Sequence, residues 1–162
     1  MTKDTGILLL LVDGMGLPGN ESLSGTVYRD FPTLTYLFDA CCTPLDACLE
    51  AEGAPQSATG QATILSGINM AERMGGHCPA FPDKRLREEL SRKNLFIDLE
   101  AANCSCTFAN AYTRVQKGWP RIKFWSVTTT VVTSALGWVR SLQDLRRGES
   151  VYHDITRDTM GD

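Results

Sequence analysis

Asp13 and Ser57 are the residues of this chain whose type and setting point most directly to chemistry. Asp13 ends an apolar run, Ile7-Leu8-Leu9-Leu10-Leu11-Val12, and opens Asp13-Gly14-Met15-Gly16. An apolar run stopped by turn residues predicts a strand buried on both faces, the kind found in parallel sheets. Ligands of open α/β sheets bind just past the carboxyl ends of such strands. A carboxylate delivered there, between glycines that let a group approach the backbone, is a candidate metal ligand. The plainer reading is a turn-forming Asp beside Gly.

Ser57 lies in Gln56-Ser57-Ala58-Thr59-Gly60-Gln61. Small residues from Ser57 to Ser66 predict a helix beginning at or near Ser57. Helix starts leave backbone N–H groups unbonded and favour anions. A serine hydroxyl becomes a nucleophile only when a base or a metal activates it. An ion held by Asp13 would do so, and would neutralise charge on a transferring phosphoryl group. Thr59 is the second candidate hydroxyl, and a simple N-cap is the structural alternative for Ser57.

Other residues form an outer circle. His77, in Gly75-Gly76-His77-Cys78-Pro79, is a candidate substrate or metal contact, or a surface histidine. His153-Asp154 is a candidate ligand pair, since imidazole suits zinc and carboxylate suits manganese; a structural loop end is the alternative. Arg73, Arg85 and Arg87 are candidates for bidentate phosphate binding, with a solvated helix face as the alternative for the last two. Asn69 and Asn110 are candidates for orienting substrate. The stretch Trp119 to Trp125, with Arg121 and Lys123, reads as a surface or substrate-side segment.

The elements that must position these groups follow from the pattern. Strand 7–12 leads into a glycine-rich connection over 13–31. Pro32-Thr33 opens a short helix with Leu34, Leu37 and Phe38 on one face, and Thr33 or Thr35 is its candidate cap. Leu45 to Leu49 is a weak strand candidate. Met74 to Pro82 is a Gly/Pro-rich loop. Lys84 to Lys93 is an amphipathic helix with Leu86 and Leu90 inward. Cys104 to Ala109 is a strand candidate, and 113–125 crosses the surface. Val127 to Leu136 has strand propensity, but the Gly137 that follows resembles a C-cap and tips the reading to helix. Leu142 to Arg147 is a further short helix. Alternating strands and helices predict an α/β fold, a mainly parallel sheet flanked by helices. No linker divides the chain, so residues 1–162 read as a single domain.

Composition narrows the class. The chain has 162 residues, 43% apolar and 22% charged, ordinary values for a globular domain. Basic and acidic residues number 16 and 19, a net charge of −3, which leaves no basic footprint for nucleic acid. No apolar run reaches the length of a membrane span, and 7–12 is too short for a signal-peptide core. With no secretory signal, the six cysteines read as reduced, mostly buried thiols of a cytoplasmic protein.

Taken in order, D-G-M-G at 13–16, P-Q-S-A-T-G-Q at 55–61 and A-T-I-L-S-G-I-N at 62–69 resemble the alkaline phosphatase superfamily. The branch most similar holds cofactor-independent phosphoglycerate mutase and phosphopentomutase. F-A-N-A-Y-T at 108–113 and Y-H-D-I-T at 152–156 resemble the same branch. The resemblance implies an alkaline-phosphatase-like fold and a metal-dependent phosphohydrolase or phosphomutase working through a phosphoserine. It implies two divalent ions, zinc or manganese, with Asp13 and Ser57 among their ligands, and a small phosphorylated substrate. Ser57 is the implied nucleophile ahead of Thr59, because the mutases place their hydroxyl three residues before the glycine, here Gly60.

The later D-x-x-G-H-like and S-D-H-G-like segments that complete the metal site in related enzymes are not found in this sequence. The expectation is therefore an amino-terminal part of such an enzyme, truncated at the C-terminus and supplying part of the site. A catalytically incompetent or degenerate domain, and another ester hydrolase of the superfamily, are the alternatives. Self-association of the isolated chain is expected from an uncovered sheet edge and apolar face.

Overall fold

The computed structural model describes residues 6–14, 30–112 and 125–154. The chain divides into two units, Met1–Asp46 and Ala47–Asp162, each described within itself.

In the first unit, the helix predicted after Pro32 is α1, Pro32–Cys41. Proline suits a first helical position, where its missing N–H has no partner to lose. Because Pro32 is already helical, the cap precedes it. Phe31 holds that place without a side-chain bond, and neither Thr33 nor Thr35 does. The run 7–12 is not the predicted strand. It has no regular structure and its side chains are exposed, Ile7 at 96% and Leu8 at 88%. A strand exists only through a neighbour's ladder, and among the described residues none pairs with it.

The second unit begins with a turn where a weak strand was predicted around Leu45 to Leu49. Leu49 and Glu50 both take the left-handed conformation, at φ 56° and 58°. Helix α2, Ser57–Ser66, follows at the predicted start and ends at Gly67, φ 69°. Two short helices escape the sequence reading. One is α3, Met70–Met74, capped by Asn69. Between it and the other lies α4, Lys84–Arg92, capped by Asp83 and burying Leu86 and Leu90 as predicted. The other is α5, Leu95–Ala101, capped by Asn94.

The strand expected over 104–109 is displaced: β1 is Asn110–Ala111. Then come α6, Val127–Leu136, α7, Leu142–Arg146, and β2, Val151–Tyr152. The two strands pair in parallel, Asn110 with Val151 and Ala111 with Tyr152. Their ladder begins where Val151 N–H donates to the Ala109 carbonyl at 3.0 Å. The unit is thus mixed helix and parallel sheet, with two strands in the described sheet.

α6 is helical despite its β-branched composition. Ser126 accepts the Thr129 N–H at 3.1 Å, and Gly137 closes the helix at φ 75°. Burial then decides, since packing outweighs weak intrinsic propensity. Val127 and Val131 join Ala58, Ala62, Leu65, Met70, Leu86 and Leu90 in one core, and α6 packs on α2, α4 and α5. Asn94 is wholly buried at this junction. Its amide donates to the Leu90 carbonyl at 2.8 Å and to Ser134 Oγ at 3.0 Å, while its oxygen accepts from the Phe96 and Ile97 N–H groups.

The cysteines correct an expectation: none is buried. Cys41, Cys42 and Cys104 are exposed, and Cys48, Cys78 and Cys106 are half-buried. Most lie in turns and loops or at a helix end rather than on an inward helix face. Residues 15–29, 113–124 and 155–162 lie outside the described residues. So do most of the glycine-rich connection, the surface segment up to Phe124, and the ends of the 108–113 and 152–156 motifs.

Candidate functional site

The opening turn of α2 is the element that organises the candidate residues. Gln56 takes the N-cap position in an extended conformation, φ −127° and ψ 142°, and its side chain makes no capping bond. The N–H groups of a helix's first turn have no intrahelical partners. Ser57, the first helical residue, is half-buried among them, whereas Ala58 and Thr59 are buried. At 3.6 residues per turn, positions two apart project to nearly opposite sides of a helix. Ser57 and Thr59 therefore face different surroundings.

Thr59 faces inward. Its hydroxyl lies 3.3 Å from the Gln56 carbonyl, to which it donates, and 3.2 Å from His77 Nδ1. A hydroxyl has one proton. With that proton on Gln56, the imidazole Nδ1–H donates to the Thr59 oxygen. His77 is half-buried, and its Nε2 is buried with no hydrogen-bond partner among the described residues. His77 thus bonds the inner hydroxyl of α2.

Asn69 is committed at both ends. Its oxygen accepts the Glu72 N–H at 3.1 Å, and its amide donates to the Leu49 carbonyl at 2.8 Å. It clamps the left-handed turn at Leu49-Glu50 to the start of α3. A cavity of about 540 Å³ beside it is lined by Glu50, Glu52 and Glu72, with Gly75 and Gly76. Three carboxylates disfavour a phosphate there.

Arg73 is held by Glu89 of α4, with Nε and Nη2 at 3.2 Å and 3.0 Å from the same oxygen. Arg85 caps the end of α3 through the Arg73 and Met74 carbonyls. Arg87 donates to the Pro82 carbonyl at 2.7 Å. Asn110 lies in β1 and is half-buried. His153 is exposed, with its ring 4.7 Å from Tyr112 and 4.5 Å from Tyr152 between centroids; Asp154 follows it past the end of β2.

Asp13 belongs to the first unit. It is exposed, and its Oδ1 accepts the Gly14 N–H at 3.1 Å, with Gly14 at φ 81°. That is the geometry of an Asp-Gly turn. Among the described residues, no group of three or more His, Cys, Asp or Glu side chains is placed to hold a metal ion.

The structure thus brings Thr59 and His77 together and ties Asn69 and Arg73 into the scaffold. Ser57 is the first residue of α2. The Thr59–His77 contact was missed because an intervening helix and loop leave no periodic signal between them. Compared with known proteins, the chain matches no family model, no curated protein and no solved structure.

Proposed function

We propose that this chain serves phosphoryl transfer of the alkaline phosphatase type, with Ser57 accepting phosphate from a small phosphorylated substrate. The observation that carries the reading is the place of Ser57: first residue of α2, at a helix start without a side-chain cap. The Ser57 oxygen attacks phosphorus as the substrate's P–O ester bond breaks, and the serine proton passes to the leaving oxygen. Water or a second hydroxyl then attacks the phosphoserine and restores the serine. First-turn N–H groups are donors for the phosphoryl oxygens throughout. Ser57 is preferred to Thr59 because it is half-buried where Thr59 is wholly buried.

Zinc or manganese enters this reading through the resemblance alone, and when bound would supply charge neutralisation at phosphorus. The described donor set does not fit such a centre: no three metal-ligating side chains converge, and Asp13 bonds its own turn. The described residues supply the Ser57 hydroxyl and the first-turn N–H donors; the base or metal that activates a serine is not among them. Another ester hydrolase would need a base beside Ser57, and His77 is turned to Thr59 instead.

That same lack of converging donors among the described residues favours a second reading, a non-catalytic domain that keeps the helices but not the chemistry. Calorimetry with zinc and with manganese separates the two, since tight two-ion binding contradicts the second. No described helix is long and apolar enough to cross a membrane; a cytoplasmic location is part of the proposal. The test of the first reading is turnover of a phosphomonoester panel by the chain and by Ser57→Ala. Loss of turnover in the variant is expected, and unchanged turnover overturns the assignment.

A further inference from the structure

Cys104 and Cys106 are not among the residues assigned to phosphoryl transfer, and the end of α5 sets them together. Asn103 takes the left-handed conformation at φ 56°, which asparagine tolerates better than most residues. The Cys104 N–H donates back to the Leu99 carbonyl at 2.9 Å, closing α5 and turning the chain along its last turn. Residues 104–109 then run to β1 without turn or bend. In such a stretch residues i and i+2 share a side, so both thiols lie on one side of the chain. At about 3.3 Å per residue, their Cα atoms stand roughly 6.6 Å apart, inside the ~4.4–6.8 Å that a disulfide spans.

The two thiols are not equivalent. Cys104 is exposed and Cys106 half-buried. The Cys106 thiol donates to Glu100 Oε1 at 3.4 Å, whereas Cys104 makes a long contact to the Ala102 carbonyl at 3.9 Å. Burial, and then the Glu100 carboxylate, push the Cys106 thiol up. The thiolate is the nucleophile, so Cys106 is held back as a thiol while Cys104 meets solvent. Glu100 sits in the last turn of α5, which has no basic residue and where an acid opposes the helix dipole. The sequence thus places this carboxylate against helix stability and within reach of Cys106. An exposed thiol beside a protected one is the arrangement of an attacking and a resolving cysteine.

We propose that Cys104 and Cys106 are a reversible thiol–disulfide pair whose substrate is a small disulfide. Cys104, its proton given to solvent, attacks one sulfur of that disulfide. The S–S bond breaks, and the first thiol leaves and takes up a proton. Cys106 then gives up its proton, attacks the Cys104 sulfur and displaces the second thiol, which is protonated in turn. Both cysteines are oxidised, and the small disulfide is reduced to two thiols. Closure ends the bond from Cys106 to Glu100.

The test uses the reduced full chain and glutathione disulfide, with free thiols blocked by iodoacetamide at timed points and the tryptic peptides weighed. Residues 94–114, between Lys93 and Arg114, form one such peptide, holding Cys104 and Cys106 and no other cysteine. The wild-type peptide is expected to pass through a glutathione adduct to an internal disulfide, lighter by two hydrogens, and to revert with dithiothreitol. Cys106→Ser is expected to stop at the adduct on Cys104. Cys104→Ser is expected to capture glutathione about ten-fold more slowly at this peptide. Glu100 is exposed, and Glu100→Gln is expected to move the pH profile of closure to lower pH. A wild-type peptide that keeps its adduct without closing overturns the proposal. So does a disulfide that joins two chains, equal capture in the two serine variants, or an unchanged pH profile in Glu100→Gln.

Discussion

His77 Nδ1 lies 3.2 Å from the hydroxyl oxygen of Thr59, 18 residues earlier in the chain. The bond joins the loop after α3 to the first turn of α2. One partner is wholly buried, and the ring's other nitrogen is buried without a partner among the described residues. The pair fixes the inner side of the turn whose outer side carries Ser57.

Thr59→Val keeps the shape and removes the hydroxyl, stranding His77 Nδ1. The expected cost is about 1–3 kcal/mol in urea unfolding, the price of an unmet buried polar group. A double-mutant cycle with His77→Ala should give a coupling of about 0.5–1.5 kcal/mol. Zero coupling would show that the contact does not stabilise the turn.

Asn94→Ala removes the cap of α5 and the bonds that tie it to α4 and α6. The expected loss is about 2–3 kcal/mol, combining a lost N-cap with lost buried bonds. Chemical denaturation measures it, and a loss below that of an exposed cap would contradict the structural role.

Asp144 supplies a pH dependence with a definite sign. The Ser141 N–H and hydroxyl, at 2.6 Å and 2.7 Å, hold its carboxyl below the ordinary carboxylate range, and Arg147 adds to the effect. A folded value below the unfolded one stabilises above the unfolded value and fades as pH falls through the folded one. Asp144→Asn should therefore lower the unfolding midpoint near neutrality, with a smaller gap in acid below the ordinary carboxylate range. An equal gap at both pH values would assign the effect to something other than ionisation.

The exposed run Ile7 to Val12 should drive self-association, since contiguous exposed apolar surface favours it. Light scattering over a concentration series is expected to show growing mass, reduced in Leu8→Lys/Leu10→Lys. A concentration-independent monomer contradicts this.

What could be read from the sequence was local. Gly137 marked the end of α6, and Leu86 and Leu90 marked the inner face of α4, because caps and periodicity act within a few residues. Asn69 and Asn94 are caps of the same kind, but each starts a helix too short to show a hydrophobic period, so α3 and α5 went unread. The run 7–12 was read as a strand from its apolarity, yet apolarity does not specify a ladder partner. Arg73 was read as a phosphate ligand, but the packing of α3 on α4 gives it Glu89. Ser57 was placed correctly at a helix start, while the partner that distinguishes it from Thr59 came from a distant loop.

The most direct measurement is acid-quenched mass spectrometry of the chain after incubation with phosphomonoesters and zinc or manganese. The proposed function predicts one added phosphate on the peptide containing Ser57, at Ser57, absent from Ser57→Ala and retained in Thr59→Val. Phosphate on Thr59, or none on this peptide while the chain turns substrate over, contradicts it.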